Sequence, residues 1–206
     1  MTLGECIYIV DDNEMTSQSL AFFCESLGYE TKVWNDPEEF LETYPTLDKV
    51  GCIVLDVRMP KKNGLEVFAE LKEQKNKLPV IFLTGHGEVR MAVHALKDGA
   101  FDFLLKSPEE KELIDVIERA LRLSSDLKFK DDQMAYDQKR FDSLTEREKD
   151  VVVLVGKGMM NKNIADVLQI SEKTVQQHRG SACRKLNLIN AVEIADFLRK
   201  LKGNQR

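Results

Sequence analysis

Apolar positions along the chain follow two rhythms. Through residue 123, five short apolar runs (6–10, 29–34, 52–55, 79–83 and 101–105) alternate with segments whose apolar residues recur at helical spacing. Past residue 143 only the helical spacing persists. The first helical segment, 13–27, carries Leu20, Phe23, Cys24 and Leu27 on one stripe, and Gly28 is its stop. Asp36-Pro37 has the form of a helix start, an N-cap followed by proline at the first helical position. Further helices are expected from Gly64 to about Gln74, from Glu88 to Asp98, and after Pro108 with Leu113, Ile114, Ile117, Ala120 and Leu121 inward. Strand–helix alternation repeated five times predicts a doubly wound parallel sheet with helices on both faces. The flavodoxin-like order 2-1-3-4-5 is the arrangement of this kind that places a ligand site between strands one and three. The run 29–34 alternates most and is the predicted edge strand.

After this come residues 124–142, rich in charge and free of proline and glycine, which read as a helical linker. Residues 143–206 read as four helices. Thr145 and Glu148 form a capping box, and Val151, Val152, Leu154 and Val155 follow on the first helix. The second runs 161–168 with Ile164, Ala165 and Leu168 inward, the third 172–186, and the fourth 190–201. Two short helices joined by the turn Gln169-Ile170-Ser171 make a helix-turn-helix, in which Val175 and Leu186 are expected core residues. The expected architecture is α/β plus all-α: residues 1–123, a linker 124–142, and a helical domain 143–206.

Charge divides the same way. Residues 1–123 hold 14 basic and 23 acidic side chains (net −9), residues 124–142 are at −1, and residues 143–206 hold 12 against 7 (net +5). An acidic front and a basic back imply two tasks, the second on a polyanion. The chain has no apolar run of eighteen residues and no signal-peptide layout at its start, so no membrane span is expected and the cytoplasm is the expected location. Cys6, Cys24, Cys52 and Cys183 form no CxxC pair and read as free thiols, and His86, His94 and His178 show no metal spacing.

Chemistry concentrates at the ends of the strands. Four of the five runs end in polar residues: Asp11 and Asp12, Asp56, Thr84, and Lys106. In a parallel sheet these ends share one edge, where open α/β folds bind ligands. Three carboxylates together repel and are costly to keep ionised without a cation. An oxygen-only site of this kind suits Mg²⁺, which keeps some of its waters and also binds phosphoryl oxygens. A carboxylate is itself a possible nucleophile toward phosphorus, with Lys106 able to stabilise charge on the transferred group and the Thr84 hydroxyl able to donate to it.

These residues, with Pro60 and Gly64 behind Asp56 and Gly85 after Thr84, resemble the signature of receiver domains of two-component response regulators, over residues 5–123. The resemblance implies that Asp56 accepts a phosphoryl group from a sensor histidine kinase. It implies Mg²⁺ held by Asp11, Asp12, Asp56 and the backbone carbonyl of Arg58, a switch hydroxyl at Thr84, and a switch aromatic at Phe103. The run Thr84-Gly85-His86-Gly87 is most similar to the NarL/FixJ branch. One departure stands out, the order Lys106-Ser107-Pro108, where receivers place proline directly after the lysine. A cis bond to a non-proline residue costs about 2.5–4 kcal/mol, against roughly 0.5–1 kcal/mol for X–Pro. The Lys106–Ser107 bond is therefore expected as either trans or a strained cis bond, and the aim of Lys106 at Asp56 stays open.

The stretch Leu144-Thr145-x-Arg147-Glu148, with Asn161-Lys162-x-Ile164-Ala165 and Ser171-x-x-Thr174-Val175-x-x-His178-Arg179, resembles the LuxR-type DNA-binding domain over residues 143–201. By that resemblance Gln176 and Gln177 sit where bases are read, and Lys162, Lys173, Thr174 and Arg179 are phosphate contacts. Gly180 is unexpected within a recognition helix: it marks either a close approach of the backbone to DNA or a helix that reads less sequence. Together the two resemblances imply a phosphorylation-controlled transcriptional regulator, not an enzyme, which binds promoter DNA and acts as a homodimer or higher homo-oligomer. Two alternatives are a phosphate-independent pseudo-receiver and an aspartate-nucleophile phosphatase. The phosphatase reading lacks its second carboxylate, because Arg58 stands two residues after Asp56.

Overall fold

The computed structural model describes residues 4–44, 49–85, 89–106 and 108–203. The chain forms two compact units that divide between Lys128 and Phe129. The first is built from β1 (Glu5–Val10), α1 (Glu14–Ser26), β2 (Glu30–Trp34), α2 (Pro37–Thr43), β3 (Val50–Leu55), α3 (Gly64–Glu73), β4 (Val80–Thr84), α4 (Val89–Lys97), β5 (Asp102–Leu105) and the start of α5 (Glu110–Asp142). All strand pairs are parallel, as the alternation predicts, and the order β2-β1-β3-β4-β5 is the flavodoxin-like one.

Successive strand side chains point to opposite faces, and the core divides accordingly. Tyr8, Val10, Ile53, Leu55 and Phe82 meet Phe40, Val67, Phe68 and Leu71 from α2 and α3. Ile7, Ile9, Val54 and Ile81 meet Leu20 and Cys24 of α1 and Leu113, Ile117 and Leu121 of α5. A strand buried on both faces has no polar position until it ends, which is why β1 and β3 are apolar runs that stop at carboxylates. The edge strand β2 is only half-buried. Helix starts are set by local chemistry: Asn13 caps α1, Asp36 with Pro37 starts α2, and Asn63 with Glu66 makes a reciprocal box on α3.

Helix α5 is continuous for 33 residues, from Glu110 to Asp142. The first unit holds it beyond Leu123: Ser124 is buried, and its Oγ accepts a hydrogen bond from the Gly51 N–H at 3.0 Å. Farther along, Phe129 and Tyr136 are exposed.

The second unit holds the end of α5 with α6 (Glu146–Gly156), α7 (Asn161–Leu168), α8 (Glu172–Leu186) and α9 (Ala191–Gly203). Its core is Val151, Val152, Val155, Ile164, Val175, Ala182, Leu186 and Ile194, all buried. The expected core positions Val175 and Leu186 are both at 0% exposure. Helix α7 ends at Gln169 in the left-handed conformation (φ 54°), and Ser171 caps α8 through the Thr174 N–H. Cys6, Cys24 and Cys52 are free and buried, and Cys183 is free and partly exposed. Burial pushes the Cys24 thiol up to about 12 and raises Cys6 and Cys52 as well, so these three are packing residues at neutral pH.

Candidate functional site

Register brings the acidic residues together. Val10 pairs with Leu55 in the β1–β3 ladder, and the next step of that ladder is the Asp56 N–H donating to the Val10 carbonyl at 2.8 Å. Asp11 and Asp56 therefore leave adjacent strands side by side. One ligand oxygen from each of Asp11, Asp12 and Asp56 lies within 4.8 Å of the others. Asp11 and Asp56 are buried and Asp12 is exposed, so the cluster has a floor and an open rim.

Lys106 reaches this floor from the end of β5. Its Nζ lies 2.9 Å from Asp56 Oδ2 and 2.8 Å from Asp11 Oδ2. Partial burial works against the ammonium charge, but the hydrogen bonds it donates to Asp11 and Asp56 outweigh it and hold the lysine above its ordinary range. The serine at 107 thus does not keep Lys106 from Asp56. The Lys106–Ser107 bond itself, with His86 and Gly87, lies outside the described residues. The shared edge put Lys106 near Asp11, but its expected aim was Asp56 alone.

Two polar atoms here are buried without a hydrogen-bond partner among the described residues, Asp56 Oδ1 and Thr84 Oγ1. Such atoms cost about 1–3 kcal/mol each when left bare, so a buried pair of them marks a place where something else binds. One unpartnered carboxylate oxygen in a cluster of three carboxylates, with no nitrogen or sulfur ligand in that cluster among the described residues, suits a hard cation such as Mg²⁺. Thr84 is fully buried, and its backbone carbonyl accepts from the Lys106 N–H at 2.6 Å. Phe103, three residues before Lys106, is half-buried against Phe82, with ring centroids 6.0 Å apart. The side chain of Arg58 is exposed, and the expectation for this residue concerned its backbone carbonyl only.

The floor is supported from behind. A Cβ on Gly64 would fall 2.1 Å from the Asp56 carbonyl oxygen, so only glycine fits there. Asn35 was not foreseen: its side-chain amide donates to the Asp11 carbonyl at 2.6 Å and to Ser17 Oγ at 2.9 Å, tying the β1–α1 turn to the end of β2. Only its place just after an edge strand hinted at this.

In the second unit, Lys162, Lys173, Gln176 and Gln177 are exposed, and Thr174, Arg179 and Gly180 are partly so. On α8 the spacing places Lys173, Gln176, Gln177 and Gly180 along one face. Thr174 Oγ1 is 2.8 Å from Ser171 Oγ, and Arg179 Nη1 donates to Asn161 Oδ1 at 3.2 Å, so both also serve the turn between α7 and α8.

Glu148 proved to do more than cap α6. It is buried, accepts from Ser181 Oγ at 2.6 Å and Lys185 Nζ at 2.7 Å on α8, and caps the Thr145 N–H at 2.8 Å. Burial opposes its charge, yet the bonds from Lys185, Ser181 and Thr145 prevail and hold the carboxyl down at about 2.

Comparison with known proteins matches residues 7–118 to the response regulator receiver domain family and residues 142–198 to the luxR family of bacterial regulatory proteins. Response regulator protein TmoT of Ectopseudomonas mendocina is 36% identical over 198 residues, covering 96% of this chain and 90% of that protein. Transcriptional regulatory protein FixJ of Bradyrhizobium diazoefficiens is 36% identical over 195 residues, covering 94% of each. Among solved structures, the response regulator StyR is similar with a TM-score of 0.85 and 34% identity, over 96% of this chain and 99% of that one. Full-length FixJ from B. japonicum is similar at 0.59 with 33% identity, over 98% and 99%.

Proposed function

This chain belongs to the response regulators that join a receiver domain to a LuxR-type DNA-binding domain, and from that membership we propose that Asp56 is the phosphoryl acceptor controlling its binding to promoter DNA. The observation that carries the assignment is the pair of buried, unpartnered oxygens, Asp56 Oδ1 and Thr84 Oγ1, beside the Lys106 ammonium. In the proposed step an Asp56 carboxylate oxygen forms the new bond to phosphorus while the bond to the donor histidine nitrogen of a sensor kinase breaks. The electron pair of that bond leaves with the imidazole.

Lys106 has Nζ bonded to Asp56 already and moves to an oxygen of the transferred group as charge gathers there. The Thr84 hydroxyl, which has no partner among the described residues, donates to a second oxygen. Asp11, Asp12, Asp56 and the carbonyl of Arg58 would hold Mg²⁺, which supplies positive charge to the phosphoryl oxygens.

Inward movement of Thr84 leaves space that Phe103 can follow into, and that changes the surface of α4, β5 and α5. Val93 and Leu96 on α4 and Leu105 on β5 are exposed apolar residues on that surface, which supports homodimerisation there when Asp56 carries phosphate. In the second unit, Gln176 and Gln177 face base edges from α8, and Lys162, Lys173, Thr174 and Arg179 contact phosphates. The described residues hold no helix long and apolar enough to cross a membrane, and the proposed place of action is the cytoplasm.

The deciding experiment is acetyl-phosphate or kinase treatment with Mg²⁺, followed by intact-mass measurement of wild type and Asp56→Ala. A phosphoryl mass on wild type alone is expected. The same mass on both proteins, or on neither, rules Asp56 out.

A further inference from the structure

Nothing inside the protein requires a glycine at position 180. It lies in the interior of α8, it is not among the glycines with positive φ, and a Cβ built there would meet nothing closer than Arg184 Nη1 at 3.8 Å. A glycine in mid-helix costs about 0.5–1 kcal/mol relative to alanine. Apart from the helix's own backbone, the one atom among the described residues within 4 Å of the vacant position belongs to Arg184, one helical turn on.

The direction of helical side chains explains that approach. They lean toward the helix N-terminus and cover the turn before their own Cα. Arg184 accordingly reaches back over residue 180, toward Gln176 and Gln177. A long side chain at 180 would occupy that path.

The basic residues of α8 also differ in what they are bonded to. Arg179 donates to Asn161, and Lys185 donates to Glu148 and to the Ser143 carbonyl. Arg184 is exposed, and its side chain makes no hydrogen bond or ion pair among the described residues. Among the described residues its guanidinium has no partner, and its stem lies along the face that carries Gln176 and Gln177.

Resting on the reading of α8 as the recognition helix, we propose that Arg184 is a sequence-reading residue, with Gly180 as the gap through which its guanidinium reaches the major groove. Its planar fork of donors matches the O6 and N7 acceptors of guanine, so the ligand is a guanine edge next to the bases read by Gln176 and Gln177. The glycine is then neither a flaw in the helix nor a silent position. It supplies the space, and the residue at 184 supplies the contact.

The test uses the full chain, treated with acetyl phosphate and Mg²⁺, on a duplex pool with a randomised core. The sequence enriched by wild type and an unselected random duplex then serve as paired probes for wild type, Arg184→Ala, Arg184→Lys, Gly180→Ala, Gly180→Leu and the double variant Gly180→Leu/Arg184→Ala. Arg184→Ala is expected to lower the ratio of selected to random affinity about 5- to 150-fold, the range for one bidentate base contact. Arg184→Lys should not restore that ratio, because a point charge lacks the fork. Gly180→Leu should match Arg184→Ala, and the double variant should lose no more than either. Gly180→Ala, whose methyl would sit at ordinary contact distance from the guanidinium, should keep the ratio and raise the melting temperature. Circular dichroism on each variant confirms that the fold is intact.

Equal weakening on both probes would make Arg184 a phosphate contact and overturn the proposal, as would an unchanged ratio or additive losses in the double variant. If Gln176→Ala and Gln177→Ala also leave the ratio unchanged, the reading of α8 itself fails. If they lower it while Arg184→Ala does not, only the present inference fails.

Discussion

Lys106 illustrates what a single residue has to balance at this site. Its single ammonium is shared by two buried carboxylates, Asp11 and Asp56, at 2.8 and 2.9 Å. Replacing it by methionine leaves these carboxylates and Asp12 to repel one another with no other side-chain cation bonded to them among the described residues. Unfolding of unit one should then be easier by about 3 kcal/mol, the lower end of the range for breaking a buried ion pair. Added Mg²⁺ should recover more stability in Lys106→Met than in wild type, since any ion bound only by the folded state stabilises it by mass action. Thermal unfolding with and without Mg²⁺ checks this, and equal recovery in both proteins would show that Lys106 and the cation do not share carboxylates. Glu148 gives the complementary case, a carboxyl held at about 2 in the folded state. Its folded pKa lies below the unfolded value near 4.5, so its contribution is complete above about pH 4.5 and is lost as pH falls toward 2. Glu148→Gln should cost about 1.5–3 kcal/mol at pH 7, the range for hydrogen bonds to a charged group. The loss relative to wild type should shrink across that acid window, measured by denaturant unfolding at stepped pH.

At the scale of elements, what could be read in the sequence was what local chemistry dictates. Buried strands must be apolar until they end, so β1 and β3 showed themselves together with the carboxylates that terminate them. Because a parallel sheet brings its strand ends to one edge, Asp11, Asp12, Asp56, Thr84 and Lys106 could be grouped before any distance was known. The reciprocal caps were equally local, each completed within three residues. What escaped notice depends on contacts remote in sequence. Glu148 meets Ser181 and Lys185 across 33 and 37 positions, Gly51 meets Ser124 across 73, and Asn35 meets Asp11 across 24. No spacing rule links such pairs, and Ser124 in particular sits where the apolar pattern of α5 fades. Conformation at a turn is legible only when glycine marks it, and between α7 and α8 the left-handed position is held by Gln169. A side chain in that region costs about 1–2 kcal/mol, partly offset by the greater unfolded-state entropy of glycine. Gln169→Gly should therefore raise the melting temperature of unit two by a few degrees, about 4–8 °C per kcal/mol for a domain of this size. A lower melting temperature would mean that the glutamine side chain contributes more than its backbone geometry costs.

At the scale of the whole chain the distribution of charge becomes an instrument. Residues 143–206 carry a net +5, while residues 1–123 carry −9, so attraction to DNA comes from one end of a molecule that is acidic overall. Each phosphate contact releases condensed counterions, and the logarithm of affinity falls with the logarithm of salt at a slope of about −0.9 per contact. That slope counts contacts, and the two ways in which phosphate on Asp56 could raise affinity differ in the count. Freeing a DNA-binding unit that was already competent would raise affinity at every salt concentration and leave the slope alone. Pairing two chains on one site would double the number of lysines and arginines on phosphates and so double the slope. The exposed apolar residues Val93, Leu96 and Leu105 on α4 and β5 favour pairing. We therefore expect a salt slope about twice as steep for phosphorylated wild type as for the untreated protein, with Asp56→Ala keeping the shallow slope under both conditions. Filter binding or fluorescence anisotropy across a salt series measures it. Higher affinity with an unchanged slope would exclude dimerisation as the switch while leaving phosphate control intact. Charged replacements at Val93 and Leu96 should return the phosphorylated protein to the shallow slope without touching Asp56, which separates the proposed acceptor from the proposed pairing surface.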